Sequence, residues 1–294
     1  MDLLSIDSLS DGQIGEILDR SDAHLSANRS GHSGEALQGR IVFNLFYENS
    51  TRTLMSFSTA AHRLGASVVT LPVEQSSVKK GESLEDTSRT LNAMRPDLLV
   101  VRHGVNGAPQ KVAEILDCPV INAGDGTNEH PTQALLDAAT IRSRLGRIEG
   151  LTIAICGDIR HSRVAHSNAL LLPRLGATVR LAGPAMLMPD DLHQPHSVDE
   201  AIEGADVVMM LRVQRERLEE ELGDAPGEYL ARYGLTAERL ARAAPNAVIM
   251  HPGPMNRGVE IEGELADDPD RSLIALQVEY GVAVRMACLE MLLA

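Results

Sequence analysis

"RIVFNLFYENSTRTLMSFSTAAHRLG", residues 40–65, changes its pattern twice. Arg40–Tyr47 is a nearly continuous apolar run of strand length. Leu54–Leu64 carries apolar residues at helical spacing, and Gly65 closes it. Between the two stand Ser50, Thr51, Arg52 and Thr53, each with a hydrogen-bond donor. A strand that turns into a helix is the repeating unit of a parallel α/β sheet. The corner leaves backbone N–H groups unpaired at the positive end of the helix dipole, where an anion is favoured. Hydroxyls and a guanidinium beside those groups complete a phosphate cradle. The bland alternative is ordinary N-capping by Ser50, with Arg52 in solvent.

The same unit recurs along the chain. "SVVTL" (67–71), "DLLVVR" (97–102) and "PVIN" (119–122) read as strands. The helices between them include one announced by a capping box, Ser83-x-x-Asp86. Pro131 opens a further helix that Gly146 closes. The series restarts with "LTIAICGD" (151–158), "TVRLAG" (178–183), "DVVMMLRVQ" (206–214) and "NAVIMHPGP" (246–254), and ends in a long helix over 272–293. Two series with a break near residues 144–150 predict an α/β protein of two doubly wound domains, each with a central, mainly parallel sheet. Ligands of such sheets gather at the carboxyl ends of the strands.

Bulk properties narrow the function. The 294 residues exceed what a single core usually organises. With 27 basic against 41 acidic residues the net charge is -14, which disfavours nucleic acid unless a basic patch is present. The only adjacent lysines are Lys79 and Lys80; aromatic residues make up 2% and tryptophan is absent, so base-stacking platforms are not expected. Cys118, Cys156 and Cys288 lie far apart in mostly apolar runs and read as buried thiols of a reducing, cytoplasmic compartment. Neither a metal-ligand cluster nor a leader segment is expected, and no apolar run approaches the ~20 residues that would span a membrane. A nucleotide-dependent oxidoreductase is the competing enzyme reading, from "AICGDIRHSR" (154–163). That stretch has one glycine where a dinucleotide loop needs three at fixed spacing.

Further donor-rich stretches fall after the strands of the first series. "SSVKKGES" supplies Ser76 and Lys80, "VVRHG" places Arg102 at a strand end, and "NEHPTQ" supplies His130 and Gln133. The residue before proline is held extended, so His130 is expected to project from its loop. In the second series "DIRHSRVAHS" contributes Arg163. Arg212 and Gln214 stand two apart on a strand end and face the same way. Each alone could be a solvated loop residue; their recurrence at successive corners points to a site.

"FYENSTRT", "SSVKKGE", "RH", "HPTQ", "RVQRER" and "HPGPMNRG", in this order, resemble the catalytic chains of aspartate carbamoyltransferases within the aspartate/ornithine carbamoyltransferase superfamily. The resemblance covers essentially the whole chain. The ornithine branch usually carries H-C-L-P where this chain has His251-Pro252-Gly253-Pro254, and its cysteine has no counterpart here. The resemblance implies transfer of the carbamoyl group of carbamoyl phosphate to the amino group of L-aspartate, the second step of UMP synthesis. It implies a carbamoyl-phosphate-binding domain over 1–134, completed by the C-terminal helix 275–294 packing back on it, and an aspartate-binding domain over 135–274.

Residue by residue, the resemblance assigns the phosphate to Ser50, Thr51, Arg52 and Thr53, with Ser76 and Arg102. Thr53, Arg102 and His130 surround the carbonyl oxygen. Gln133 and the backbone carbonyls of Pro252 and Gly253 accept from the carbamoyl NH2. Arg163 takes the α-carboxylate of aspartate, Arg212 and Gln214 the β-carboxylate, and Glu48 and Arg217 orient these arginines. Ser76 and Lys80 match residues that enter from a neighbouring subunit, which implies a homotrimer with shared sites. No metal and no cofactor are implied. "QRERLEEELGDAPGEYLARYG" (214–234) is the candidate closing loop. Leu54 and Ser58 depart from the family pattern on the helix behind the phosphate loop. "MNRGVEI" (255–261) resembles a bacterial subgroup that often associates with dihydroorotase, so such a partner, or a regulatory chain, is a further expectation. A catalytically silent scaffold would have lost some of these residues, and every matched position is filled by the corresponding type.

Overall fold

The computed structural model describes residues 1–72, 81–190, 197–213 and 226–293. Ser76, Lys80, Gln214, Arg217 and the 214–225 part of the candidate closing loop lie outside the described residues. Two compact units divide the chain: Met1–Ala139 with Val278–Ala294, and Thr140–Gln277.

The first unit holds a parallel sheet of β1 (Ile41–Phe46), β2 (Ser67–Pro72), β3 (Leu98–His103) and β4 (Val120–Asp125), in the order β2-β1-β3-β4. Its helices are α1 (Asp11–Arg29), α2 (Thr51–Arg63), α3 (Leu84–Ala93), α4 (Ala108–Ala113) and the start of α5 (Pro131–Leu145). β4 is buried throughout and β1 from its second residue, as parallel strands covered on both faces must be. Leu45, Leu99, Val101, Val112 and Val120 form one of its apolar clusters.

The second unit repeats the plan. β5 (Thr152–Cys156), β6 (Thr178–Ala182), β7 (Val207–Met210) and β8 (Val248–Met250) are parallel in the order β6-β5-β7-β8. Its helices are α6 (Arg163–Arg174), α7 (Val198–Ile202), α8 (Pro226–Tyr233), α9 (Ala237–Leu240), α10 (Gly263–Ala266) and the first turn of α11 (Ile274–Leu293). The unit boundary after Ala139 lies inside α5; the expected boundary at 134/135 falls in the same helix, nearer its N-terminus.

Topology locates the sites. From β1 the chain crosses to β2 on one side, and from β3 to β4 on the other. The carboxyl ends of β1 and β3 therefore flank a crevice from which their two connections leave in opposite directions, which is where ligands of open α/β sheets bind. β5 and β7 stand in the same relation in the second unit.

Three features differ from the sequence reading. Helix α1 was not expected, although Ser10 and Gln13 form a full capping box and Ile14, Ile17, Leu18 and Leu25 are buried along one face. The strand expected over 206–214 ends at Met210, so Arg212 follows the sheet rather than standing on it. Cys118 is half-buried rather than buried; Cys156 and Cys288 are buried, with burial pushing each thiol up to about 12. The C-terminal helix does pack on the first unit: Tyr280 Oη donates to Asp22 at 2.7 Å, and Glu290 lies 3.0 Å from His24 Nε2. No helix among the described residues is long and apolar enough to cross a membrane.

Candidate active site

Three corners of the first unit, after β1, β3 and β4, lie at the carboxyl end of its sheet. Phe46 pairs in register with Arg102, so the loop leaving β1 begins beside the guanidinium at the end of β3. Ser50 is the N-cap of α2, with extended backbone, yet its side chain makes no capping bond. The hydroxyl that the bland reading would spend on the helix is therefore not spent there. Thr51 and Arg52 are exposed at the helix start, while Thr53 is only 6% exposed. That arrangement presents N–H groups, a hydroxyl and a guanidinium to an anion, above one hydroxyl that faces inward.

Arg102 Nε lies 3.2 Å from Glu48 Oε2, and its Nη1 donates to the Ala123 carbonyl at 3.3 Å. Glu48 therefore pairs with Arg102 across the corner of β1 and β3. His130 precedes α5 and its Nε2 lies 3.5 Å from Thr53 Oγ1. It is 4% exposed, and a bridge between Asp125 and Glu129 closes the loop that precedes it. Asp125 holds that fold by accepting from Gly107 N at 2.7 Å, Asn122 Nδ2 at 2.8 Å and Asn128 Nδ2 at 3.0 Å. Thr53, Arg102 and His130 thus arrive from the ends of β1, β3 and β4, a set of donors suited to an oxygen that gains negative charge. His103 stacks on Tyr47 with ring centroids 4.6 Å apart and accepts from Val105 N at 2.9 Å; burial holds its pKa below the ordinary histidine value.

Gln133 sits in the first turn of α5, and its Nε2 donates to Asp137 Oδ1 at 3.0 Å one turn on. The amide is thereby oriented, with Nε2 committed and Oε1 turned to accept. Behind the phosphate loop, Arg285 of α11 is 3% exposed. Its Nη1 donates to Ser56 Oγ at 2.6 Å, and Ser56 Oγ donates to the Thr53 carbonyl at 3.2 Å. Ser58, at one of the two departures from the family pattern, accepts from Asn44 Nδ2 of β1 at 3.1 Å and so ties the helix to the sheet. Asp137 and Arg285 escaped the sequence reading. The available signals were an acid four residues after Gln133 and a lone arginine in an otherwise apolar stretch of the last helix.

The second unit places Arg163 at the first position of α6, after β5, with Ser162 capping the helix through Ala165 N at 3.1 Å. Arg212 is exposed, between buried Leu211 and Val213, after β7. Both therefore stand at the equivalent crevice of their own sheet. Pro252 and Gly253 follow β8. Among the described residues no group of three or more His, Cys, Asp or Glu could hold a metal ion.

Donor-rich corners in the first sheet and cationic corners in the second suit a two-substrate group transferase, the class to which the similar proteins belong. Residues 1–143 match the family model of the aspartate/ornithine carbamoyltransferase carbamoyl-P binding domain, and residues 149–292 that of its Asp/Orn binding domain. The chain belongs to the aspartate/ornithine carbamoyltransferase family. Within it, the chain is 56% identical to the aspartate carbamoyltransferase catalytic subunit of Sphingopyxis alaskensis, over 99% of this chain and 86% of that one. A crystal structure of aspartate transcarbamoylase from Trypanosoma cruzi with carbamoyl aspartate and phosphate superposes with a TM-score of 0.88 at 36% identity, covering 100% of this chain and 96% of that one. The same enzyme with N-(phosphonacetyl)-L-aspartic acid gives 0.87 at 36% identity, covering 100% and 95%.

Proposed function

We propose that this chain transfers the carbamoyl group of carbamoyl phosphate to the amino group of L-aspartate, releasing N-carbamoyl-L-aspartate and phosphate, a step of pyrimidine synthesis. The observation that carries the reading is the gathering of Thr53, Arg102 and His130 at the switch point of the first sheet, beside an uncapped α2 N-terminus. Ser50, Thr51, Arg52 and Thr53 hold the phosphate together with Arg102. A desolvated dianion calls for several charged donors, each worth roughly 1.5–3 kcal/mol. The neutral amine of aspartate attacks the carbonyl carbon, and the oxygen gains charge under Thr53, Arg102 and His130. The carbon–oxygen bond to phosphate then breaks, and the leaving phosphate takes the proton of the amine. The oriented Gln133 Oε1 and the Pro252 and Gly253 carbonyls accept from the carbamoyl NH2. Arg163 holds the α-carboxylate and Arg212 the β-carboxylate, with Gln214 and Arg217 assisting. Catalysis rests on positioning and electrostatics, with no covalent intermediate on the protein.

Ser76 and Lys80 complete the site from a neighbouring subunit in this reading, which makes the active form a homotrimer in the cytoplasm. The free cysteines suit a reducing compartment. A dihydroorotase or a regulatory chain is the further partner that "MNRGVEI" motivates in this reading. The test is formation of carbamoyl aspartate from carbamoyl phosphate with aspartate, with ornithine as the control acceptor. Equal turnover with both acceptors, or none with aspartate, sinks the assignment. Mixing Lys80→Ala with Arg52→Ala chains tests the shared site: recovered activity is expected, and its absence removes the crossing.

A further inference from the structure

The loop after β8 is held by a buried pair that the reaction described above does not use. The side chains of His251 and Glu260 are both 0% exposed, with Nε2 and Oε1 3.2 Å apart. Burying a carboxylate is costly unless its hydrogen bonds are made, so what this pair binds is informative. His251 Nδ1 accepts from the Gly253 N–H at 2.8 Å. That bond leaves Nδ1 without a proton, so Nε2 carries one and donates to Glu260. The same Glu260 Oε1 accepts from the Asn256 N–H at 2.5 Å, and Asn256 Nδ2 donates to the Val213 carbonyl at 3.2 Å. His251 N in turn donates to Gln277 Oε1 at 3.0 Å. One carboxylate therefore fixes residues 251–256 at two points, Gly253 through the imidazole and Asn256 directly. A third bond reaches the residue after Arg212. Gly253 has φ of 64°, a conformation open to glycine, so its peptide takes the orientation these bonds dictate. A histidine that served only packing would not direct its bonds at the backbone of this loop.

We propose that His251 and Glu260 are positioning residues that aim the Pro252 and Gly253 carbonyls at the carbamoyl NH2 of carbamoyl phosphate. The inference rests on the substrate assignment above. It separates recognition of the NH2 group from recognition of phosphate, and this gives the test. Steady-state kinetics with carbamoyl phosphate varied at saturating aspartate yields KM, and inorganic phosphate, which has no NH2, serves as competing inhibitor. His251→Gln reaches Glu260 but leaves the Gly253 N–H without its acceptor. Its KM for carbamoyl phosphate is expected to rise about 10-fold or more, with the inhibition constant of phosphate unchanged. His251→Asn places an oxygen near the Nδ1 position, and its KM is expected at least about fivefold below that of His251→Gln. Equal KM values for the two variants, or a phosphate constant that rises in step with KM, overturn the proposal. If His251→Gln shows no thermal transition, Glu260→Leu, which removes the acceptor of both the His251 and the Asn256 bonds, supplies the comparison: KM rises while the phosphate constant does not, and a wild-type KM refutes the role. A wild-type chain inactive with aspartate overturns the substrate assignment instead, so the two failures are distinct.

Discussion

Replacing Arg285 by methionine separates what a buried cation costs the fold from what it gives the site. Burial holds the guanidinium pKa down at about 10, with the Arg102 charge lowering it further and the Asp137 carboxylate partly offsetting the shift. The group is still charged at neutral pH, and the shift corresponds to about 3 kcal/mol opposing burial of that charge. Because the native state binds this proton less tightly than the unfolded chain, stability rises only as pH passes 10; at neutral pH the cost is present in full. Opposing it are the donations to Ser56 Oγ at 2.6 Å and the Gly281 carbonyl at 3.1 Å, and the Phe57 ring 4.9 Å below the guanidinium. Hydrogen bonds from a charged group contribute about 1.5–3 kcal/mol each, and the ring contact about 1–2 kcal/mol. Methionine fills similar space without charge, so the bonds and ring contact, together about 4–8 kcal/mol, are lost along with the burial cost of about 3 kcal/mol, and the unfolding free energy should fall by about 1–5 kcal/mol. The site is affected as well. The relay from Arg285 through Ser56 to the Thr53 carbonyl is lost, and with it a positive charge behind the phosphate loop. KM for carbamoyl phosphate should rise about 5- to 20-fold. Urea melts are best followed by far-UV circular dichroism, since the chain has no tryptophan. A variant destabilised by more than about 6 kcal/mol, or one with unaltered KM, refutes the reasoning.

Two further perturbations test the surroundings of the site. Asp137→Leu removes the acceptor that orients Gln133, and kcat/KM should fall about 10-fold or more, whereas Asp137→Asn keeps an acceptor and should fall less. Equal losses in the two variants would exclude amide orientation as the cause. The Glu290 carboxyl is held below its ordinary value by the His24 hydrogen bond first and by Arg20 as well. Its contribution to stability is present above the ordinary carboxylate pKa and is lost as pH falls through the lower, folded value. The stability gap between wild type and Glu290→Gln should therefore shrink between about pH 5 and pH 3. Paired denaturant melts at the two ends of that range check it, and a gap that widens on acidification contradicts the sign.

The sequence made the corners legible because polar residues interrupt apolar strands there, and a strand-to-helix turn leaves them one place to point. Ser50–Thr53, Arg102, His130 and Gln133 all show this signature. Their supports were not legible, because each is a contact between residues whose proximity only packing decides. Arg285 and Ser56 are separated by 229 positions, and nothing local to either announces the other. Helix α1 went unread for a different reason: its buried face is narrow and diluted by polar residues, although the Ser10/Gln13 box marked its start. Strand ends were overextended at 206–214 because the apolar run outlasts the pairing, which stops at Met210.

What could be read locally and what could not meet in the topology. Both sheets place their first and third strands side by side with crossovers leaving in opposite directions, so each unit has one crevice at which two loops meet. In the first, those loops carry Arg52 and Arg102; in the second, Arg163 and Arg212. The same geometric accident is used twice, once beside an uncapped helix start that suits a phosphate and once with separate guanidinium groups that suit two carboxylates. One repeated plan thus places an arginine-bearing corner at the switch point of each unit. After β8, His251 and Glu260, both buried out of reach of solvent, fix the loop backbone through the Gly253 and Asn256 N–H groups.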